Sequence, residues 1–241
     1  MTSSLVLRLA GPLQSWGVSS RFAYRATANE PTKSGVIGLL AAALGRRRTD
    51  PLEDLLGLRF GVRIDQPGRL VRDFQTAIST STGKSMPLSY RFYLGDAAFM
   101  AVVEGETELI RSLDQALRAP GFPLYLGRRS CPPVGPVTLG VREGGDVATV
   151  LAEEPWHAAA WFQRRSRSAS VRLETVADAS AGADPADVLT QPDLPVSFDP
   201  ERRQYALRAV ERGHVWVENP TFVATAVEHD AHDPMSALGA V

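Results

Sequence analysis

The chain of 241 residues contains one cysteine, Cys131, two lysines, Lys33 and Lys84, and four histidines, all late in the sequence. A lone cysteine excludes an intramolecular disulfide framework and leaves a cysteine-based metal site short of ligands, so a reducing compartment, the cytoplasm, is expected. Long apolar runs are missing too. The longest, Val36 to Leu44, falls far short of the ~20 residues of a membrane-spanning helix, and no membrane partner is expected. Arg8 interrupts the stretch from Leu5 to Ala10, and no small-residue cleavage site follows, which argues against a secretory leader. What is present, 44% apolar residues, suits one globular domain, or one with an appendage, and excludes disorder and collagen-like repeats.

The net charge of -1 conceals a division. Residues 1–172 carry 22 basic and 15 acidic side chains, whereas residues 173–241 carry 4 and 12. The field near a surface depends on where charges sit, so the first part suits a polyanion and the second is expected to face protein partners or solvent. Of the 26 cations 24 are arginine, whose planar fork matches phosphate oxygens in bidentate geometry, although a GC-rich coding sequence also favours arginine over lysine. Two stretches concentrate them: residues 1–50, and residues 164–172 with four arginines and no acid. Both are candidate phosphate-facing segments.

Alternation of Leu5, Leu7 and Leu9 predicts a strand ended by Gly11-Pro12. A loop over 11–31 interleaves Arg21 and Arg25 with Trp16, Phe22 and Tyr24. Thr32 or Ser34 caps a largely buried helix to about Leu44, with Gly45 as its stop. Further strands are expected over 58–64, with Arg59 and Arg63 on a polar face, and over 70–78, 88–94 and 96–103. A small-residue tip, Ser79 to Pro87, makes 70–94 a protruding hairpin. Thr107 caps a second helix that stops at Pro120-Gly121. The order strand, helix, strand, strand, strand, helix predicts an α+β fold: a ferredoxin-like, RRM-like sandwich with the hairpin inserted. Three parts are expected: a core over 1–140, a β-rich part over 141–218 including a hairpin that turns at Arg212-Gly213, and an acidic tail over 219–241. Residues 176–200 read as an exposed connection.

Lys33-Ser34 at a helix start lacks the glycines of a nucleotide-binding loop, and no cofactor is expected. The helix N-terminus, with Lys33, Ser34 and Gly35, is a candidate phosphate site. Arg46, Arg47 and Arg48 follow that helix, where cations interact with the helix dipole in any protein, so helix support and phosphate contact both remain open. Trp16 reads as a core anchor more than a base platform. In Gly127-Arg128-Arg129-Ser130, glycine admits close backbone approach and the arginines supply donors, so RNA contact is expected. Glu228 to Asp233 resembles a metal cluster but reads better as a solvated acidic tail, and no metal is expected. Cys131, followed by two prolines, reads as structural.

Five ordered motifs, Leu7 to Gly17, Pro31 to Leu40, Arg72 to Thr76, Tyr90 to Leu94 and Tyr125 to Pro132, together make the first 140 residues resemble the CasD-type subunits of type I-E CRISPR Cascade complexes, within the repeat-associated superfamily of RNA-binding proteins. The resemblance implies a non-catalytic subunit for antiviral defence that grips the 5′ handle of crRNA and caps the filament of CasC-type backbone subunits. It implies docking on a CasA-type large subunit, and contact with target DNA only indirectly, through the complex. It makes residues 70–94 a thumb with Arg91 at its base as an RNA contact, Lys84 being the only cation of its short tip and a further candidate; it sets Lys33, Ser34 and Gly35 at handle phosphates or bases, and Arg128 and Arg129 in the glycine-rich loop typical of the superfamily. The alternative is a metal-independent endoribonuclease for CRISPR repeat RNA, with Tyr24 or His157 as general base and Lys33 as stabiliser.

Overall fold

The computed structural model describes residues 1–17 and 24–223. Strand β1 (Thr2–Gln14) outruns its expected end, because pairing with its neighbour resumes at Leu13 and Gln14 beyond Pro12. After β2 (Tyr24–Arg25) comes helix α1 (Lys33–Ala43), capped by Thr32, whose hydroxyl accepts the Gly35 N–H at 3.2 Å. A single turn, α2 (Glu53–Leu56), leads to β3 (Arg59–Gln66), and Pro67-Gly68 delivers the chain into β4 (Arg69–Gln75).

The next strand, β5 (Ser89–Glu106), is 18 residues long and merges the two strands expected over 88–94 and 96–103. Gly95-Asp96 makes no reversal. Instead β5 changes partners there, pairing with β4 over Ser89 to Gly95 and with β1 from Leu94 to Glu106. Asp96 takes φ +56, the only positive φ outside glycine among the described residues. The Gln66 amide donates to the Asp96 carbonyl at 2.6 Å, and the Gln66 carbonyl oxygen accepts the Ala159 N–H at 3.0 Å.

Helix α3 (Thr107–Arg118) is capped by Glu106, one residue before the expected Thr107, and β6 (Thr138–Glu143) follows. In space the order is β6-β1-β5-β3, all neighbours antiparallel. This is the βαββαβ connectivity of the ferredoxin-like sandwich. Leu5, Leu7 and Leu9 of β1 pack with Val36, Ile37 and Leu40 of α1 and Ile110 and Leu113 of α3.

Beyond residue 140 come two helices that the sequence did not suggest, α4 (Val147–Glu153) and α5 (Ala160–Arg165), before β7 (Ser170–Asp178), β8 (Val188–Ser197) and β9 (Gln204–Glu218). Helix α4 covers the second face of the sheet, setting Val147, Val150 and Leu151 on Val6, Met100 and Val102. Its approach depends on Gly61, where a Cβ would lie 2.4 Å from Val147. That cover corrects the reading of Arg63 as a solvent-face residue. Arg63 is fully buried, paired with Asp65 at 2.7 Å and donating to the carbonyls of Leu151, Glu154 and Pro155.

The expected hairpin at Arg212-Gly213 is absent, since β9 runs straight through it. Gly213 faces Thr175 of β7, with a Cβ position only 3.2 Å from the Thr175 hydroxyl, so its smallness serves close approach and not a turn. Residues 176–200 are likewise no loose connection, for they hold the end of β7 and all of β8. Strands β7, β9 and β8 extend the sheet beyond β3, and one nine-stranded sheet crosses residue 140. No helix among the described residues is long and apolar enough to cross a membrane.

Candidate nucleic-acid interface

The end of β1 builds the floor of a basic concavity. Trp16 is fully buried, its indole N–H donating to Gln14 at 3.1 Å, which bears out its reading as an anchor. Helix α1 starts against this ring: a Cβ on Gly35 would lie 2.7 Å from Trp16 Cε3. From the other side comes the loop 126–131, closed by bonds from Leu126 N–H to Cys131 O and from Cys131 N–H to Arg128 O. Gly127 takes φ +83, and a Cβ there would fall 1.8 Å from the Ser15 carbonyl, so only glycine lets this loop meet β1. Cys131 is buried within the loop, and burial pushes its thiol pKa up, which suits a structural role.

Between these pieces lies a cavity of about 550 Å³. Ser34 and Gly35 line it from α1, Gly127 to Ser130 from the loop, and Arg91 from the base of the β4–β5 hairpin. Seven candidate contacts thus share one cavity, and Arg48, whose phosphate contact the sequence left open, lines it too. Arg128 forms part of its frame: the guanidinium donates to the carbonyls of Phe92 and Arg25 at 3.0 and 2.6 Å and lies over the Tyr93 ring. Arg91 and Arg129 have no hydrogen-bond or carboxylate partner among the described residues, and Arg48 and Arg203, which also line the cavity, have none either. Four unpaired guanidiniums around one concavity attract an anion strongly.

The other candidates lie elsewhere. Lys33 is buried, its ammonium 2.9 Å from Asp178 and its backbone N–H donating to Asp193 at 2.9 Å. Arg208 completes the cluster, bonded to Asp178 at 2.7 Å and to Asp193 at 2.8 Å. The chain therefore supplies its own anion at the start of α1, and with Gly35 N–H bound by Thr32, a phosphate there would meet chiefly the Ser34 N–H. Lys33 serves the core and cannot reach the cavity. Arg46 is held bidentately by Asp54 at 2.6 and 2.5 Å, a pairing whose hydrogen bond lowers the Asp54 pKa and raises that of Arg46. Arg47 is exposed, with its N–H on Asp50. Arg25 is exposed in β2 beside Arg91, Lys84 is exposed at the hairpin tip, and Arg21 and the Glu228 to Asp233 cluster lie outside the described residues.

Composition hid part of the wall. Phe198 and Arg203 line the cavity from the β8–β9 connection and Tyr205 from the start of β9, inside the acid-rich section expected to avoid a polyanion. Among the described residues no acid of that section lines the cavity, and two of them, Asp178 and Asp193, are held by Lys33 and Arg208. Arg202-Arg203, the one basic pair after residue 172, was the available signal. The proposed nuclease residues do not converge. Tyr24 stacks on Tyr90 at 5.2 Å, His157 lies beside Glu154 and Asp65, and Lys33 is buried; none lines the cavity. Among the described residues no three His, Cys, Asp or Glu side chains cluster as metal ligands would.

Comparison with known proteins agrees with this architecture. Over 171 residues, 63% of this chain and 76% of the relative, the sequence is 37% identical to the CRISPR system Cascade subunit CasD of Escherichia coli (strain K12). A chain of a CRISPR RNA-guided surveillance complex superposes with a TM-score of 0.74 at 31% identity, covering 95% of this chain and 96% of that one. A crystal structure of a Cas protein gives 0.64 at 35% identity over 90% and 95%. The model of the CRISPR-associated protein family Cas5 matches residues 4–211, so the cavity, its arginines and most of the sheet lie within the match, and the chain belongs to that family.

Proposed function

We propose that this chain is a non-catalytic subunit of a CRISPR RNA-guided surveillance complex that binds the 5′ handle of crRNA and caps the filament formed by CasC-type subunits. The observation that carries the reading is the cavity with Arg48, Arg91, Arg129 and Arg203 unpaired around a floor of small residues and the rings of Tyr125, Phe198 and Tyr205. Charge-assisted bonds to phosphates fix such a strand, and aromatic walls accept splayed bases. The exposed apolar side chains of the hairpin, Leu70, Phe74, Ile78 and Met86, suit docking on the adjacent backbone subunit, and a CasA-type subunit would meet another face. Target DNA is then read by the guide and not by this cavity.

The test is retention and cleavage of a labelled repeat RNA, with and without EDTA, at several salt concentrations. Intact handle retained in a salt-dependent way is expected. Cleavage in EDTA that disappears in Tyr24→Phe or His157→Ala would sink the reading and make the chain a processing enzyme.

A further inference from the structure

A second basic surface lies apart from the cavity, at the end of α5. Asn219 builds it. Its carboxamide N–H group donates to the carbonyls of Gln163, Ser166 and Ser168 at 3.1 to 3.2 Å, fixing the turn that follows the helix. Arg164 and Arg165 end the helix and Arg167 lies in this turn, all exposed. No carboxylate pairs with them among the described residues, and Arg172 of β7 meets only His214, at 3.0 Å. Cations at a helix C-terminus offset the helix dipole, which accounts for Arg164 and Arg165. It does not account for Arg167, for Arg172, or for what lies beside them.

Trp161 precedes Arg164 and Arg165 by three and four positions, so all three share one helix face. Its indole is 45% exposed and is held edge-on by Phe162, with ring centroids 5.6 Å apart. An exposed ring fixed next to two free guanidiniums leaves a stacking face open. Adjoining it is a cleft of about 640 Å³, with Arg165 and Arg172 on its walls and Phe162 and Leu173 among its apolar residues; of the two acids that also line it, Asp65 is held by Arg63, and Glu174 is exposed. The cleft shares no lining residue with the first cavity. It opens because β7 pairs with β3 only at Thr175 to Ala177, leaving its earlier residues bonded to β9 alone.

From this juxtaposition we propose that the α5–β7 surface binds single-stranded DNA, with Arg164, Arg165, Arg167 and Arg172 on phosphates and Trp161 stacked on a base. Cationic grooves with ring platforms suit unpaired strands of any sequence; an acidic peptide would use the arginines but not the open indole. The choice of DNA rests on the function proposed above: a guide that pairs with one strand of target DNA leaves the other strand unpaired nearby.

The experiment saturates the purified chain with unlabelled handle RNA and then titrates fluorescent oligo(dT) at several salt concentrations. Salt-dependent binding is expected, weakened at least tenfold in the triple variant Arg164→Glu, Arg165→Glu, Arg167→Glu and about fivefold or more in Trp161→Ala. Handle affinity and melting temperature should stay those of the parent in both. Oligo(dT) binding unchanged in the triple variant, or displacing the handle RNA from the chain, would overturn the proposal, and tighter binding of oligo(rU) would overturn the choice of DNA. Handle retained with no oligo(dT) bound defeats this proposal and leaves the cap reading standing; oligo(dT) bound without handle retention upholds the surface and defeats the cap reading.

Discussion

Arg91 and Arg129 differ from Arg128 in having no partner for their side chains among the described residues, and the difference is measurable. A single-stranded RNA loses about 0.7 of its log–log salt slope for each phosphate contact removed. Arg91→Ala and Arg129→Ala are therefore expected to weaken handle binding and flatten its salt dependence by about that amount each, read by fluorescence anisotropy from low to moderate salt. Lys33 should behave in the opposite way. Its ammonium answers Asp178 inside the protein, so Lys33→Met should leave the salt slope alone and cost about 3 kcal/mol of stability in urea unfolding, the usual penalty for removing one partner of a buried pair. An altered slope with unchanged stability would place Lys33 in the interface after all. His157 gives a pH signature. Burial lowers its pKa below the ordinary 6.5, against the pull of Asp65 and Glu154 and with that of Arg63. The folded chain thus binds fewer protons here than the unfolded one. Stability attached to this group is complete above pH 6.5 and declines as pH falls below it. Urea midpoints between pH 7.5 and 5 should fall with pH in the parent and fall less in His157→Gln.

At the scale of elements, what packs locally was legible and what depends on cover was not. The period of α1, its cap at Thr32 and its stop at Gly45 are properties of a few neighbouring residues, and the loop 127–130 announced itself through glycine beside arginine. Lys33 and Arg63 were misplaced because their carboxylate partners are distant: Asp178 and Asp193 lie on β7 and β8, and the lid over Arg63 is α4. A charge looks solvated in sequence unless its buried partner is adjacent. The hairpin at Arg212-Gly213 failed for a related reason, since a glycine needed for close packing carries the same letter as one needed for a turn. The outer part of the β4–β5 hairpin, in contrast, contributes little to the core: Leu70, Phe74 and Ile78 are all more than 60% exposed, and only Tyr93 and Leu94 at its base are buried in the core. Replacing residues 76–87 by a two-residue turn should leave the melting temperature within a few degrees of the parent while reducing incorporation into the assembled complex, assayed by co-purification. A large drop in melting temperature would show that the hairpin supports the fold.

At the scale of the whole molecule, the cluster of Lys33, Asp178, Asp193 and Arg208 joins the first part of the chain to the last. It fastens the start of α1 to the three strands that carry Phe198, Arg203 and Tyr205 to the cavity. Asp193→Asn keeps the shape of the side chain but leaves Arg208 and the first N–H of α1 with a weaker acceptor. Its expected result is a loss of about 1 to 3 kcal/mol in stability together with weaker handle binding, because the far wall of the cavity is loosened. Full affinity in a destabilised Asp193→Asn would separate the wall from binding.

Strand β5 gives the molecule a mechanical property. Because one strand runs from the sheet into the hairpin, the thumb is a cantilever, with its elbow at Asp96 and no slack on that side. Gln66 latches the elbow, holding the Asp96 carbonyl with one end of its amide and the Ala159 N–H, at the threshold of α5, with the other. A load at the tip that tilts the thumb must strain this latch, and the torque arrives where Trp161 and the arginines of the second surface begin.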